Sequence, residues 1–349
     1  MRVLLILLFS FLTVTAVIAA GSLEDRHIID WHVHVAGLGY GDSDAFINTE
    51  MYENFRFGYF MRWMGVTEKE LKNNGDQLVV KRLDEKIRQS RYIDQAVVLA
   101  LDGVIDETSG TLDREKTQIY VPNDFIARET AKYPRLLYGA SINPLRRDSI
   151  ERLEQAHRQG AVLIKWIPSI MHFDPSDKNL TSFYQRMTEL DMPLLTHTGK
   201  EISFPTARNE LADPRRLELP LKLGVIVIAA HISTTGKSDG ENNFKRILPM
   251  FSEYDNLYAD ISSLTQINKL GYLARALQVE GLTERMIYGS DWPLQYFPVV
   301  SPWYHLGRIG FINAWQISGI DNSWDRDVVL KRQYGVPEAV FTRKPAPGQ

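Results

Sequence analysis

The chain has 349 residues, 44% hydrophobic and 24% charged, with no cysteine and a formal net charge of −3. That length suffices for a large buried core and fits a single α/β barrel. The absence of cysteine excludes disulfides, thiolate metal sites and a cysteine nucleophile. Basic and acidic residues are interspersed, with no cationic stripe to track a phosphate backbone, which argues against nucleic acid as a partner.

In chain order, Met1-Arg2 precedes an apolar run from Val3 to Ala20, interrupted only by Ser10, Thr13 and Thr15. One positive charge, an apolar stretch and small residues at Ala16, Ala19 and Ala20 form the pattern of a secretory signal peptide cleaved near Ala20–Gly21. Cleavage removes one Arg and no acid, so the mature chain, residues 21–349, carries −4. Export without cysteine suits a bacterial periplasm. The alternative is an uncleaved anchor, because a run of about 18 residues just spans a bilayer. No later stretch does, so no stable membrane insertion is expected after cleavage.

Eight short apolar runs rich in β-branched residues follow, at 28–34, 96–101, 136–142, 162–167, 193–197, 225–231, 257–261 and 286–291. Most are continuous rather than alternating, as strands buried on both faces of a parallel sheet are. From the fourth onward their last residues recur about every thirty positions, the length of one βα unit. Helical patterns fill the gaps. Residues 149–159 put Ile150, Leu153 and Ala156, with His157, on one face and stop at Gly160, a C-cap. Thr181 is placed to cap a helix carrying Phe183, Tyr184, Met187 and Leu190, and residues 123–133 end before Pro134. The alternation predicts a (β/α)8 barrel. Its longest insertion, residues 36–90, carries Phe55, Phe57, Tyr59, Phe60 and Trp63 and is then strongly charged from Glu68 to Arg91. It is predicted as helices over the barrel mouth, serving as a lid or as the interface of a homo-oligomer.

In such a barrel the chemistry sits at the C-terminal ends of the strands. Strand one ends Asp30-Trp31-His32-Val33-His34. Alternate strand residues share a face, which sends His32 and His34 together into the mouth and puts Asp30, in phase with them, deeper. The fifth strand ends at His197, the sixth at His231 and the eighth at Asp291. Imidazoles and a carboxylate converging there suit Zn²⁺ or a similar divalent ion. A single histidine ending a strand is more often structural; four of the eight in the chain doing so, followed by an acid in phase, favour ligation. Of the others, His27 and His157 read as surface or packing residues, and His172 and His305 as mouth-loop residues within reach of a substrate.

The segments "IDWHVH", "GAVLIKWIP", "PLLTHTG", "VIAAHIS" and "IYGSDWP" span residues 28–293. In that order the chain resembles the amidohydrolase superfamily, specifically the amidohydrolase-related branch of lactonases and non-oxidative decarboxylases. The resemblance implies that His32, His34, His197 and Asp291 bind one catalytic metal, most readily zinc. It also implies that His231 either binds a second metal or orients and protonates the substrate, and that Asp291 carries a proton from the activated water to the leaving group. Lys165 ends the fourth strand, where binuclear members carry a carboxylated bridging lysine. An unmodified lysine there would pair with an acid or hold a substrate carboxylate. Trp166, His172, Glu201 and Trp292 are candidate pocket residues, as are Lys200, Ser233 and Asn143; packing or turn chemistry is the competing reading. Asp260, ending the seventh strand, is placed to orient His231. The implied activity is hydrolysis of an amide, ester or lactone bond in a small molecule. The alternatives are decarboxylation of an aromatic or unsaturated acid, and a metal-binding scaffold without catalysis.

Overall fold

The computed structural model describes residues 27–346, so the apolar leader lies outside the described residues. Eight parallel strands form the centre: β1 (Ile29–His34), β2 (Gln95–Leu99), β3 (Leu136–Gly139), β4 (Ile164–Trp166), β5 (Leu194–Thr196), β6 (Val227–Ala229), β7 (Leu257–Asp260) and β8 (Met286–Ile287). β1, β2 and β3 pair in sequence order, as do β4 through β8. The two sheets join along both seams. Ala140 bridges to Ile164 in parallel, with Ala140 N donating to Leu163 O at 2.9 Å. Val33 bridges to Trp292, and Asp291 N donates to His32 O at 2.9 Å. The result is the (β/α)8 barrel that the continuous apolar runs predict, since strands covered on both sides need no polar face.

Two apolar clusters give the strands their sides. Ile29, Trp31, Val97, Leu99, Leu163, Leu195, Ile228 and Tyr258 pack together as the barrel interior, while Val33, Val98, Ile164, Leu194 and Val227 pack with the surrounding helices. Each of these buried side chains contributes about 1.5–3 kcal/mol relative to exposure. The interior phase continues upward from Leu163 to Lys165, from Leu195 to His197 and from Ile287 to Asp291, which is how apolar strands come to aim polar residues at the mouth.

β1 departs from strict alternation. Its pairing with β2 runs Asp30 opposite Ala96 and then Val33 opposite Val98, three steps against two, which marks a β-bulge. The extra residue reverses the phase: Ile29 and Trp31 face the interior, and so do His32 and His34 beyond the bulge. Asp30 therefore does not lie beneath the histidines as strict alternation predicts. It faces the helical layer, where Oδ2 accepts from Trp324 Nε1 at 2.7 Å and Oδ1 from Ser290 N at 2.9 Å. Burial pushes its carboxyl up to about 6 against those hydrogen bonds.

The helices track their expectations with shifted ends. Residues Ser149–Arg158 are helical and Gly160 adopts φ 85°, whereas the helix before Pro134 ends at Thr130. Thr181 is not a cap: it is the first residue of Thr181–Glu189, entered from a 3₁₀ turn at Lys178–Leu180. Asp177 takes the capping role there, accepting from Asn179 N. Insertion 36–90 forms four helices, α1 (Thr49–Tyr52), α2 (Arg56–Met64), α3 (Glu68–Asn74) and α4 (Gln77–Arg88). A short antiparallel pair, Phe46–Ile47 with Ile119–Tyr120, ties the insertion to the loop after β2.

Candidate metal centre

At the C-terminal mouth, His32 Nε2 lies 3.0 Å from His34 Nε2 and 2.9 Å from Lys165 Nζ. Asp291 Oδ1 lies 3.6 Å from His32 Nε2 and 3.4 Å from His34 Nε2. Asp291 Oδ2 accepts from Ser263 Oγ and lies 3.8 Å from His231 Nε2. One carboxylate thus spans the β1 histidines on one side and the β6 histidine on the other. His32, His231 and Asp291 each offer an atom within 4.8 Å of the others. His197 stands edge-on to His231, ring centroids 5.5 Å apart, and its buried Nε2 has no hydrogen-bond partner.

The surrounding hydrogen bonds fix which nitrogens face the centre. His32 Nδ1 donates to Asp260 Oδ2 at 2.7 Å, leaving Nε2 to accept. Ser262 Oγ gives its proton to Asp260 Oδ1, so it accepts from His231 Nδ1 at 2.7 Å, leaving His231 Nε2 a lone pair toward Asp291. Asp260 thus orients His32 and, through Oδ1, the His231 backbone amide at 2.9 Å; Ser262 rather than Asp260 holds the His231 ring. His231, Ser263 and Asp291 have φ of 55°, 58° and 62°, the left-handed region that costs a side-chain-bearing residue about 1–3 kcal/mol. Gly289 lies beneath: a Cβ there would meet His32 Cβ at 3.0 Å.

Electrostatics favour neutral imidazoles beside ionised carboxylates. Burial, aided by Lys165, pushes His32 down to about 4, and burial likewise depresses His197 and takes His231 well below its ordinary value. Burial would raise Asp260 and Asp291, yet the adjacent histidines hold both well below the usual carboxylate range. Burial lowers Lys165 to about 8. The residues fit a divalent ion: neutral imidazole lone pairs, an ionised carboxylate and an orphaned buried ring nitrogen, with His32, His231 and Asp291 each held by a second hydrogen bond. His32, His34, His231 and Asp291 form the tight group, with His197 and Lys165 beside it.

These groups floor a cavity of about 160 Å³, with Glu201, Phe204 and Leu294 on its walls and Met51, Phe57, Phe60, Met61 and Met64 of the insertion above. α2 is thus a lid whose inner face is apolar except for Arg56 at its first residue. Glu201 Oε2 lies 3.6 Å from His197 Nε2. Other candidates fall elsewhere. Trp166 is fully buried against Phe173, Phe183 and Tyr184 because its strand phase faces the helices, and its Nε1 donates to Ile142 O. Trp292 stacks on Trp324 in the helical layer, and His172 bonds Thr206 O at 3.1 Å; neither lines the cavity. His305 is held by Tyr334 and Thr265 O, and Asn143 by the carbonyls of Gly103 and Met171. The loop after β7 supplies what the sequence reading missed: Ser262, Ser263, Gln266, which donates to Ser263 Oγ at 2.6 Å, and the buried Lys269. Its one sequence signal is a polar run, Ser262-Ser263, directly after a strand end.

A family model described as Amidohydrolase matches residues 29–308. No match is found among curated proteins. An uncharacterized TIM-barrel protein from Bordetella bronchiseptica has a TM-score of 0.51 at 17% identity, with 88% of this chain and 99% of that chain covered. A probable 2-pyrone-4,6-dicarboxylic acid hydrolase from Acinetobacter baumannii, with citric acid bound, has a TM-score of 0.51 at 15% identity over 88% and 99%. A 5-carboxyvanillate decarboxylase from Sphingomonas paucimobilis has a TM-score of 0.49 at 10% identity over 89% and 100%. The first two likenesses establish the barrel fold.

Proposed function

The chain belongs to the amidohydrolase family, and from that premise we propose that it is a metal-dependent hydrolase cleaving an amide, ester or lactone bond in a small molecule. The carrying observation is Asp291, ionised and set between the His32–His34 pair and His231. Zinc is the proposed ion, held by His32, His34, His197 and Asp291, with His231 as a further ligand if a second ion binds. A bound divalent ion polarises a carbonyl and lowers the pKa of water toward 7.

The chain's own residues supply the rest. Asp291 is the base at the floor, and Ser263 fixes its Oδ2 so that the carboxylate cannot turn away. The lone pair of His231 Nε2 faces the same space, fit to accept a hydrogen bond from the substrate or to relay a proton. Lys165 lines the cavity and donates to His32 Nε2, a bond that a metal on that nitrogen would displace, freeing the ammonium for a substrate; carboxylation would make it a bridge. The apolar lid excludes water and selects a substrate with a hydrophobic portion. Removing the support of His231 tests this: Ser262→Ala should lower kcat about 10–100-fold with KM little changed, read from steady-state kinetics. Equal kcat in that variant would remove His231 orientation from the mechanism.

The aromatic-walled cavity also suits decarboxylation of an aromatic acid on the same groups, distinguished by CO₂ release without water uptake. Export by cleavage of residues 1–20, a periplasmic mature chain 21–349 and homo-oligomerisation are proposed on the sequence alone. Elemental analysis of protein purified without chelator tests the metal reading. One equivalent of divalent metal per chain makes Lys165 a polar pocket residue. Two would favour its carboxylated form. A chain that binds none, even when supplied, is no metallohydrolase.

A further inference from the structure

Beside the lid the surface changes character. No carboxylate occurs between Glu53 and Glu68 or between Asp291 and Asp321, whereas Arg56, Arg62 and Arg308 lie within those segments. The two segments meet around a groove of about 680 Å³, whose lining includes Tyr59, Arg62, Lys86, Phe297, Trp303 and Arg326 and no acid. Lys86 Nζ donates to Tyr296 OH at 3.3 Å, and Arg326 to the carbonyls of Ile320 and Gln295. Among the described residues, no carboxylate lies within 4.0 Å of Arg62, Lys86 or Arg326. Around the groove stand exposed apolar side chains: Phe297 is 72% exposed, and Phe311, Ile312 and Trp315 on the helix Leu306–Ser318 are 65–69% exposed. Trp303 packs on Phe311 at 5.5 Å, which makes groove and helix face continuous.

Large exposed apolar patches mark a binding surface. Aromatic and aliphatic side chains around unpaired cations, with no acid, match the chemistry of a lipid headgroup layer rather than a protein core. A second copy related by a two-fold axis would lay this acid-free groove on itself, leaving Arg62, Lys86 and Arg326 no groove carboxylate to oppose them.

We propose that this face docks the protein on the surface of an anionic phospholipid bilayer. Phe297, Phe311, Ile312 and Trp315 enter the boundary between headgroups and acyl chains, and the groove cations hold a lipid phosphate. Because α2 contributes Tyr59 and Arg62 to this face and Phe57 and Phe60 to the cavity, docking sets the catalytic mouth beside the lipid.

The test is sedimentation of the full-length chain with phosphatidylcholine vesicles, with and without phosphatidylglycerol. The double variants Phe311→Ser/Trp315→Ser and Arg62→Gln/Lys86→Gln are compared with the parent. The N-terminal apolar run is common to all, so differences between variants report the face itself. Removing two cations should weaken binding to phosphatidylglycerol vesicles about thirtyfold, and the apolar double variant should bind at least tenfold more weakly. Brominated acyl chains should quench tryptophan emission in the parent, and Trp315→Phe should lose most of that quenching. Unchanged binding in both double variants, with no quenching traceable to Trp315, would overturn the proposal. So would a parent dimer that Phe311→Ser/Trp315→Ser converts to monomer without any affinity for vesicles; the face would then belong to a second copy.

Discussion

Asp291→Asn should lower kcat/KM on any turned-over ester or lactone by about 10⁴-fold, at the upper end for loss of a positioned acid–base group. The substitution keeps the volume of a buried side chain that is 5% exposed, so packing survives and circular dichroism should be unchanged. What is lost is the charge and the acceptor capacity of one atom. Both carboxylate oxygens are in use, Oδ1 toward His32 and His34 and Oδ2 toward His231 and Ser263. An amide turned one way donates to His32 Nε2 and occupies the lone pair a metal would take; turned the other, it sets its N–H group against the hydroxyl that Ser263 now donates. Metal content should fall along with turnover. Near-native activity would refute the role of Asp291.

The second large effect is acid destabilisation of the chelator-treated chain. His32 is depressed from 6.5 to about 4, so between those pH values the unfolded chain binds a proton that the folded chain refuses. Stability is therefore full above about pH 6.5 and falls as the pH drops toward 4, by about 3 kcal/mol for this residue. His197 and His231, lowered chiefly by burial, act in the same direction. Asp30, raised to about 6 by burial, opposes them: the folded chain takes up its proton first, so its contribution fades as the pH rises through that range. His172 and His305 are likewise lowered by burial, and five imidazoles against one carboxyl leave a net loss on acidification. Urea midpoints at pH 7 and pH 4.5 measure it, and equal midpoints would show that the imidazoles are not buried neutral.

The barrel was legible because its strands are covered on both sides. Runs such as Val225 to Ala230 have no polar face, and that pattern survives even where the regular strand is only Val227–Ala229. The metal-centre candidates were legible for the same reason, since a histidine or aspartate at the end of an apolar run has few places to point. Trp166 and Trp292 were misplaced because adjacency to a site residue along a strand puts a side chain on the opposite face. Ser262, Ser263 and Lys269 escaped notice because they lie on a loop whose course is set by tertiary hydrogen bonds to Asp260 and Asp291, not by periodicity. Asp260 was matched to the wrong histidine because both rings lie within 4 Å of its oxygens, and which nitrogen it takes depends on ring rotation.

The β1 bulge has a consequence for how the centre could be lost or altered. The direction of His32 and His34 depends on a count of residues, because one extra position between Asp30 and Val33 turns them from the helical layer to the interior. Substitutions in β1 that spare the two histidines and keep the count leave the register, and with it the direction of both imidazoles, unchanged. A single-residue deletion there would swing both outward together, with the rest of the barrel paired as before. The aim of the two imidazoles is thus set by the length of the strand, while their chemistry is set by the letters at its end.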